Sequence, residues 1–200
     1  MTGGNAYLRA FDLAVAVLLE TRARFAVIGG LAVSVRTEPR FTKDADFLVA
    51  VAGDAEAERI GQAMLRHGFV LVSLFERTDL TRIATMRFTL GDVYVDLLPG
   101  VCGAEAEMVA DAADLEVIEG RRCAVASVGA LIGLKALACA NRKKPDDHAD
   151  LQRLLAVATE ADMQSAVAFM ALMEARQAPG SVRLRAVLAA AQAYATSTDG

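Results

Sequence analysis

Phe25–Val51 reads FAVIGGLAVSVRTEPRFTKDADFLVAV. Four apolar residues lead into Gly29-Gly30, a second apolar segment follows, and the chain turns at Glu38-Pro39 before a further strand-like run that starts at Arg40. The pattern predicts strand, glycine turn, short helix, strand. In the second strand a period of two puts Arg40, Thr42, Asp44 and Asp46 on one face and Phe41, Ala45 and Phe47 on the other. Two carboxylates aimed at one place repel each other and lose hydration unless something positive compensates them. A hard divalent cation, Mg²⁺ or Mn²⁺, is the simplest compensation, because such ions take one or two carboxylates and leave other positions to water and phosphate oxygens. Gly29-Gly30 is the complement: glycines allow close backbone approach, and the N-terminus of the following helix offers free N–H groups to an anion.

Gly29-Gly30 followed by Arg40-Phe41-Thr42-Lys43-Asp44-Ala45-Asp46 resembles the nucleotidyltransferase superfamily of DNA polymerase beta type, and within it the AbiEii-like bacterial branch, some members of which are toxins of toxin–antitoxin pairs. The resemblance implies a third carboxylate on a later strand, Asp96 in Val93–Leu98. It also implies a downstream helical lysine, Lys135, then Arg142, then the run Asp147-His148-Ala149-Asp150-Leu151. Asp146 departs from it, standing where a lysine is common. The match runs roughly from Phe25 to Leu155. Taken singly, the pieces have ordinary readings: D-x-D serves as a turn or helix cap, and a glycine pair as a plain strand-to-helix turn. Their order along the chain, with the aspartates leading into an apolar strand, favours the functional reading.

With 200 residues, 54% of them hydrophobic, the chain is long enough for a substantial core. The mean hydropathy is +0.35, yet no apolar run approaches the roughly 18 residues of a spanning helix. No membrane association is expected and the cytoplasm is the expected location. Cys102, Cys123 and Cys139 lack metal-ligand spacing, and His67 and His148 are the only histidines, which argues against zinc chemistry or a serine triad. A net charge of −4 gives no overall attraction to nucleic acid. Basic clusters at Arg36/Arg40 and Arg142-Lys143-Lys144 are able to frame a polyanion, whereas Arg121-Arg122 reads as solvated surface.

Apolar residues Leu8, Phe11, Val15, Leu18 and Leu19 mark a helix within Tyr7–Glu20, and this stripe is expected to pack on the sheet. Asp54 is expected to cap a helix that Gly68 ends, with His67 in its last turn. Strands follow at Phe69–Leu74, Arg82–Leu90 and Val93–Leu98, the last two joined by the hairpin pair Gly91-Asp92. Tyr94 and Asp96 share one face of the hairpin's second strand. Short strands flank Gly120-Arg121, and Ser127 caps a helix carrying Lys135, with Arg142 seven residues on and on nearly the same face. Two cations on one face suit a triphosphate; the plainer alternative is a pair favoured by a helix C-terminus. Alanine-rich helices follow Pro145 and end in a frayed tail at 196–200.

The expected architecture is α/β (α+β): a mixed sheet flanked by helices over residues 1–126 and a C-terminal helical portion over 127–200. The resemblance implies a metal-dependent nucleotidyltransferase acting on an NTP and an acceptor hydroxyl of RNA, protein or a small molecule, with a possible cognate partner protein. Asp44, Asp46 and Asp96 would serve catalysis and metal, and Gly29, Gly30, Arg40, Thr42, Lys135 and Arg142 the nucleotide. The alternatives are a non-catalytic or antitoxin-type protein of the same fold and an antibiotic-modifying nucleotidyltransferase.

Overall fold

A computed structural model describes residues 3–40, 42–77, 82–142 and 144–198. Phe41, Lys143 and the last two residues of the expected tail lie outside them. Helices α1 (Gly3–Glu20), α2 (Gly29–Arg36), α3 (Asp54–Arg66) and α4 (Glu105–Ala110) interleave with seven strands, β1 (Arg24–Ile28), β2 (Asp44–Ala50), β3 (Val70–Arg77), β4 (Arg82–Leu90), β5 (Val93–Leu98), β6 (Ala113–Ile118) and β7 (Arg121–Val125). Then come α5 (Val128–Asn141), α6 (Pro145–Val157), α7 (Glu160–Ala175), a 3-10 turn at Ser181–Arg183 and α8 (Leu184–Thr198). None of the described helices is long and apolar enough to cross a membrane.

The strands form one mixed sheet in the order β3-β4-β5-β2-β1-β7-β6. β2 runs antiparallel to β1 and parallel to β5, and β1 runs parallel to β7. Gly91, with φ +61°, turns the β4–β5 hairpin so that Leu90 faces Val93 and, three rungs along, Arg87 faces Asp96. Phe47 is fully buried, its ring 5.6 Å from Phe11 and 5.9 Å from Phe25, which locks α1 onto the sheet. The buried cluster continues through Leu131, Ile132, Leu151, Leu154 and Met173, so the helices after residue 127 pack into the same core as the sheet.

Local chemistry accounts for most boundaries. Ser127 accepts from the Ala130 N–H as a helix cap, and Gly68, with φ +89°, closes α3 while the Phe69 and Gly68 N–H groups return to Met64 and Leu65. His67 meets Glu20 at 2.8 Å.

Several expectations are corrected. β2 starts at Asp44, so Arg40 and Thr42 lie in the lead-in after Pro39 rather than on the strand; Ser34 Oγ receives the Arg40 N–H that a neighbouring strand would otherwise take. The residue capping α3 is Gly53, and Asp54 instead accepts from the Ile83 N–H at 3.1 Å. β3 extends to Arg77, α1 buries Ala10, Phe11, Ala14, Val17 and Leu18 while Leu19 is exposed, and α8 continues to Thr198.

Phe47→Ala is expected to destabilise the fold by about 3–5 kcal/mol, the range for truncating a buried aromatic. Ser127→Ala should cost about 1 kcal/mol through the lost cap. Urea midpoints of both variants check the ranking.

Candidate active site

Parallel pairing sets Asp44 beside Tyr94 and Asp46 beside Asp96, while the antiparallel neighbour puts Ile28, the residue before Gly29, beside Asp46. Ala45 and Phe47 are buried on the opposite face, so alternation leaves Asp44 and Asp46 on the face that α2 approaches. Gly29 adopts φ +66°, and a Cβ there would collide with the Asp46 carboxylate. Any larger residue would therefore strain the backbone and displace Asp46. A Cβ on Gly30 would fall 2.7 Å from Arg40 Nη2 and 2.8 Å from Thr42 Oγ1. The glycine pair thus packs Arg40, Thr42 and Asp46 around the start of α2.

Burial, then the charges of Asp96 and Asp44, push the Asp46 carboxyl up from an ordinary 3.8 to about 7, while Lys135 and Arg87 oppose the rise. Arg87 donates through Nε to Asp96 Oδ1 at 2.8 Å and through Nη2 to Asp96 Oδ2 at 2.6 Å, a two-pronged bond that occupies both oxygens of a carboxylate only 6% exposed. Hydrogen bonding to Asp96 in turn raises the guanidinium above its ordinary value. The same guanidinium lies 5.3 Å from the centre of the Tyr94 ring. Tyr7, on α1, donates its hydroxyl to the Asp44 carbonyl at 3.4 Å; burial and the charges of Asp46 and Asp44 raise its pKa.

Below this face lies a second set of charges. Asp150 is fully buried; its Oδ2 accepts from Arg40 Nη2 at 2.7 Å and meets Lys135 Nζ at 2.8 Å, and its Oδ1 accepts from Arg153 at 3.4 Å. Asp147, 4% exposed, accepts from Lys135 at 3.0 Å and from Arg142 Nε at 2.8 Å. Burial alone would raise the Asp147 carboxyl, but Lys135 and Arg142 more than offset it and hold it below its ordinary value. Lys135 and Arg142 therefore do converge, with Asp147 between them. Arg36 donates to the backbone carbonyls of Ala126 and Val125, and Arg121 and Arg122 pair with Asp12 and Asp114 on the surface.

Of the residues singled out from sequence, Gly29, Gly30, Arg40, Thr42, Asp44, Asp46, Asp96 and Lys135 meet around the start of α2, and Arg142 joins them through Asp147. Sequence reasoning missed Arg87, Tyr7 and the linking role of Asp147 and Asp150. Arg87 had a usable signal, since a two-residue turn at Gly91-Asp92 fixes a register in which position 87 faces position 96. Tyr7 had none.

Among the described residues no three or more His, Cys, Asp and Glu side chains are gathered into a ready-made metal cage. The donor set nevertheless fits a hard divalent ion. Asp44 and Asp46 supply two oxygen-bearing side chains, and a cation would offset both the burial and the neighbouring charges that raise Asp46.

The family model described as nucleotidyl transferase AbiEii toxin, type IV TA system, matches residues 13–197. No curated protein sequence matches the chain. Among solved structures, the crystal structure of ANT(2'')-Ia in complex with adenylyl-2''-tobramycin is similar with a TM-score of 0.55 and 20% identity, over 82% of this chain and 96% of that one. The solution structure of the antibiotic-resistance factor ANT(2'')-Ia has a TM-score of 0.50 and 19% identity, over 94% and 92% of the two chains. At these identities the likeness shows the fold. The family match extends from within α1, across the carboxylate strands and the charge cluster, into α8, and the chain belongs to the AbiEii nucleotidyltransferase toxin family of type IV toxin–antitoxin systems.

Proposed function

We propose that the chain transfers a nucleotidyl group from an NTP to an acceptor hydroxyl, as the toxin of a toxin–antitoxin pair. The observation that supports this most is the parallel register setting Asp46 beside Asp96, with Gly29 leaving space only for the Asp46 carboxylate. A fold kept for interaction alone has no need of three like charges crowded on one sheet face. In the reaction the acceptor oxygen bonds to the α-phosphorus, the bond from that phosphorus to the bridging oxygen of the β-phosphate breaks, and pyrophosphate leaves.

Asp44 and Asp46 would hold Mg²⁺ or Mn²⁺, which when bound supplies charge neutralisation for the attacking and leaving oxygens. The residues of the chain divide the remaining work. Backbone N–H groups at the start of α2 hold phosphate oxygens, and Arg40, Thr42 and Lys135 surround that turn. Asp147 and Asp150 keep Lys135 and Arg40 extended toward it, with Arg142 completing the cation set. Asp96 takes the proton of the acceptor hydroxyl at a carboxylate oxygen; each oxygen keeps a second lone pair beside its hydrogen bond from Arg87. Arg87 meanwhile keeps Asp96 oriented between turnovers.

A small-molecule acceptor is the second reading. It rests on fold likeness to ANT(2'')-Ia, crystallised with adenylyl-2''-tobramycin. Incubation of the protein with each of four labelled NTPs, against cell extract on one side and aminoglycosides on the other, separates the two. Label on a macromolecule supports the first reading, label on the drug supports the second, and none in either arm removes the proposal.

Asp96→Asn should lower the transfer rate by about 100-fold or more with nucleotide binding retained, since it removes an interaction made mainly in the transition state. A rate within a few-fold of the parent, with the fold intact, would reduce Asp96 to a sheet-pairing residue of Arg87. Asp44→Asn combined with Asp46→Asn should abolish the metal-dependent part of the rise in melting temperature that Mg²⁺ and NTP produce together; calorimetry checks the same loss. Asp46 also sets a pH dependence. Its folded pKa of about 7 lies above the ordinary 3.8, so the ligand-free protein loses stability as pH rises toward and through 7. Each pKa unit of that gap is worth about 1.4 kcal/mol before solvent screening. Asp46→Asn alone should therefore stabilise the ligand-free chain above pH 7 and change it little near pH 4, as read from urea midpoints across that range.

A further inference from the structure

β3 is one edge of the sheet and pairs only with β4 among the described strands. Edge strands are normally guarded by charge, proline, shortness, bulges or a cover, because their outward N–H and C=O groups invite another strand. β3 is eight residues long, and six of them, Val70 to Phe75, run Val-Leu-Val-Ser-Leu-Phe without proline or charge. Val70 is 62% exposed, Leu71 40%, Val72 52%, Leu74 42% and Phe75 59%. Consecutive apolar residues put apolar groups on both faces of the strand, and one register shift between Leu71 and Ser73 leaves Val72 as a local bulge in its pairing with β4. Leu71 and Leu74 border an apolar groove of ≈ 80 Å³ shared with Leu65 and Met86. Contiguous apolar surface of this kind marks a binding site in a folded protein.

We propose that β3 is the interface of a homodimer, in which two copies of the strand pair antiparallel about a two-fold axis near Ser73 and join two sheets into one. The polarity of the segment favours a second copy as the occupant. An antiparallel copy centred on Ser73 sets Leu71 level with Phe75 and Val72 level with Leu74, so apolar side chains meet apolar side chains across the two-fold axis. Charge points to the same orientation. Glu76 is exposed at one end of β3, and Arg66 is exposed in the last turn of α3, which leads into the other end. An antiparallel pair brings Glu76 of each copy toward the Arg66 end of the other, whereas a parallel pair would set like charges together. Arg77 does not interfere, being buried and donating to the Gln177 carbonyl at 2.9 Å. An eight-residue strand pair with its flanking side chains is a small interface, of the size class of weak, reversible association.

Sedimentation velocity on the whole chain, from about 1 to 100 μM, should show a shift from monomer to dimer mass. Val72→Lys combined with Phe75→Lys should hold the monomer mass across that range with an unchanged circular dichroism spectrum, both positions being exposed. Glu76→Arg should weaken the dimer several-fold, and adding Arg66→Glu should restore it, a rescue that indiscriminate apolar clumping does not show. A parent chain that stays monomeric at the top concentration overturns the proposal. So does growth to larger species in place of a dimer, a dimer that survives the double lysine variant, or a monomer whose β3 edge is instead taken by a different protein.

Discussion

Two parallel strands in register, each carrying an aspartate at the same level, are the constraint that the rest of this molecule answers. Asp46 and Asp96 are rungs of one ladder, so neither can move away from the other without breaking sheet hydrogen bonds. Their repulsion is met in three ways. Arg87 reaches across from β4 and takes both oxygens of Asp96. Lys135 contributes its field from α5. Asp46, penalised first by burial and then by the charges of Asp96 and Asp44, is left with a pKa near 7. Glycine at position 29 follows from the same crowding, since the space a side chain would need is already filled by the Asp46 carboxylate.

The helical part is bound to this arrangement by charge as well as by apolar packing. Asp150 joins the loop before β2, through Arg40, to α5 through Lys135 and to its own helix through Arg153. Buried ion pairs of this kind contribute little net stability, because desolvation offsets much of the attraction, but removing one partner leaves an uncompensated charge in the interior. Their consequence is geometric. Arg40 and Lys135 converge on one carboxylate oxygen beneath the start of α2, so the cations near the glycine turn are held by the packing of α6 rather than left to choose among rotamers. The site is close to charge-balanced as it stands, with Arg40, Arg87, Lys135, Arg142 and Arg153 each paired to an aspartate, and Asp44 and Asp46 are the carboxylates left for a cation to neutralise.

Legibility followed the range of the interaction. Strand, glycine turn, helix and strand from Phe25 onward, the Gly91-Asp92 hairpin and the Ser127 cap depend on neighbours within a few residues, and they were read correctly. The start of β2 was misjudged because alternation continues through Arg40 and Thr42 although no strand pairs with them. Leu19 was misplaced because the face of α1 that meets the sheet is set by Phe47 and not by the helix alone.

The sequence by itself determined the element types and the pairing of Asp44 with Asp46 on one face, because both arise from backbone periodicity and local turn chemistry. It also determined the family, through residue types in a particular order. Only the tertiary structure decided that β2 and β5 lie side by side in parallel, that Asp147 and Asp150 hold Lys135 and Arg40, that Tyr7 reaches Asp44, and that β3 pairs only with β4 among the described strands. The first three are contacts between positions from 12 to 110 apart, brought together by burial of a common core whose apolar side chains carry no label naming their partners.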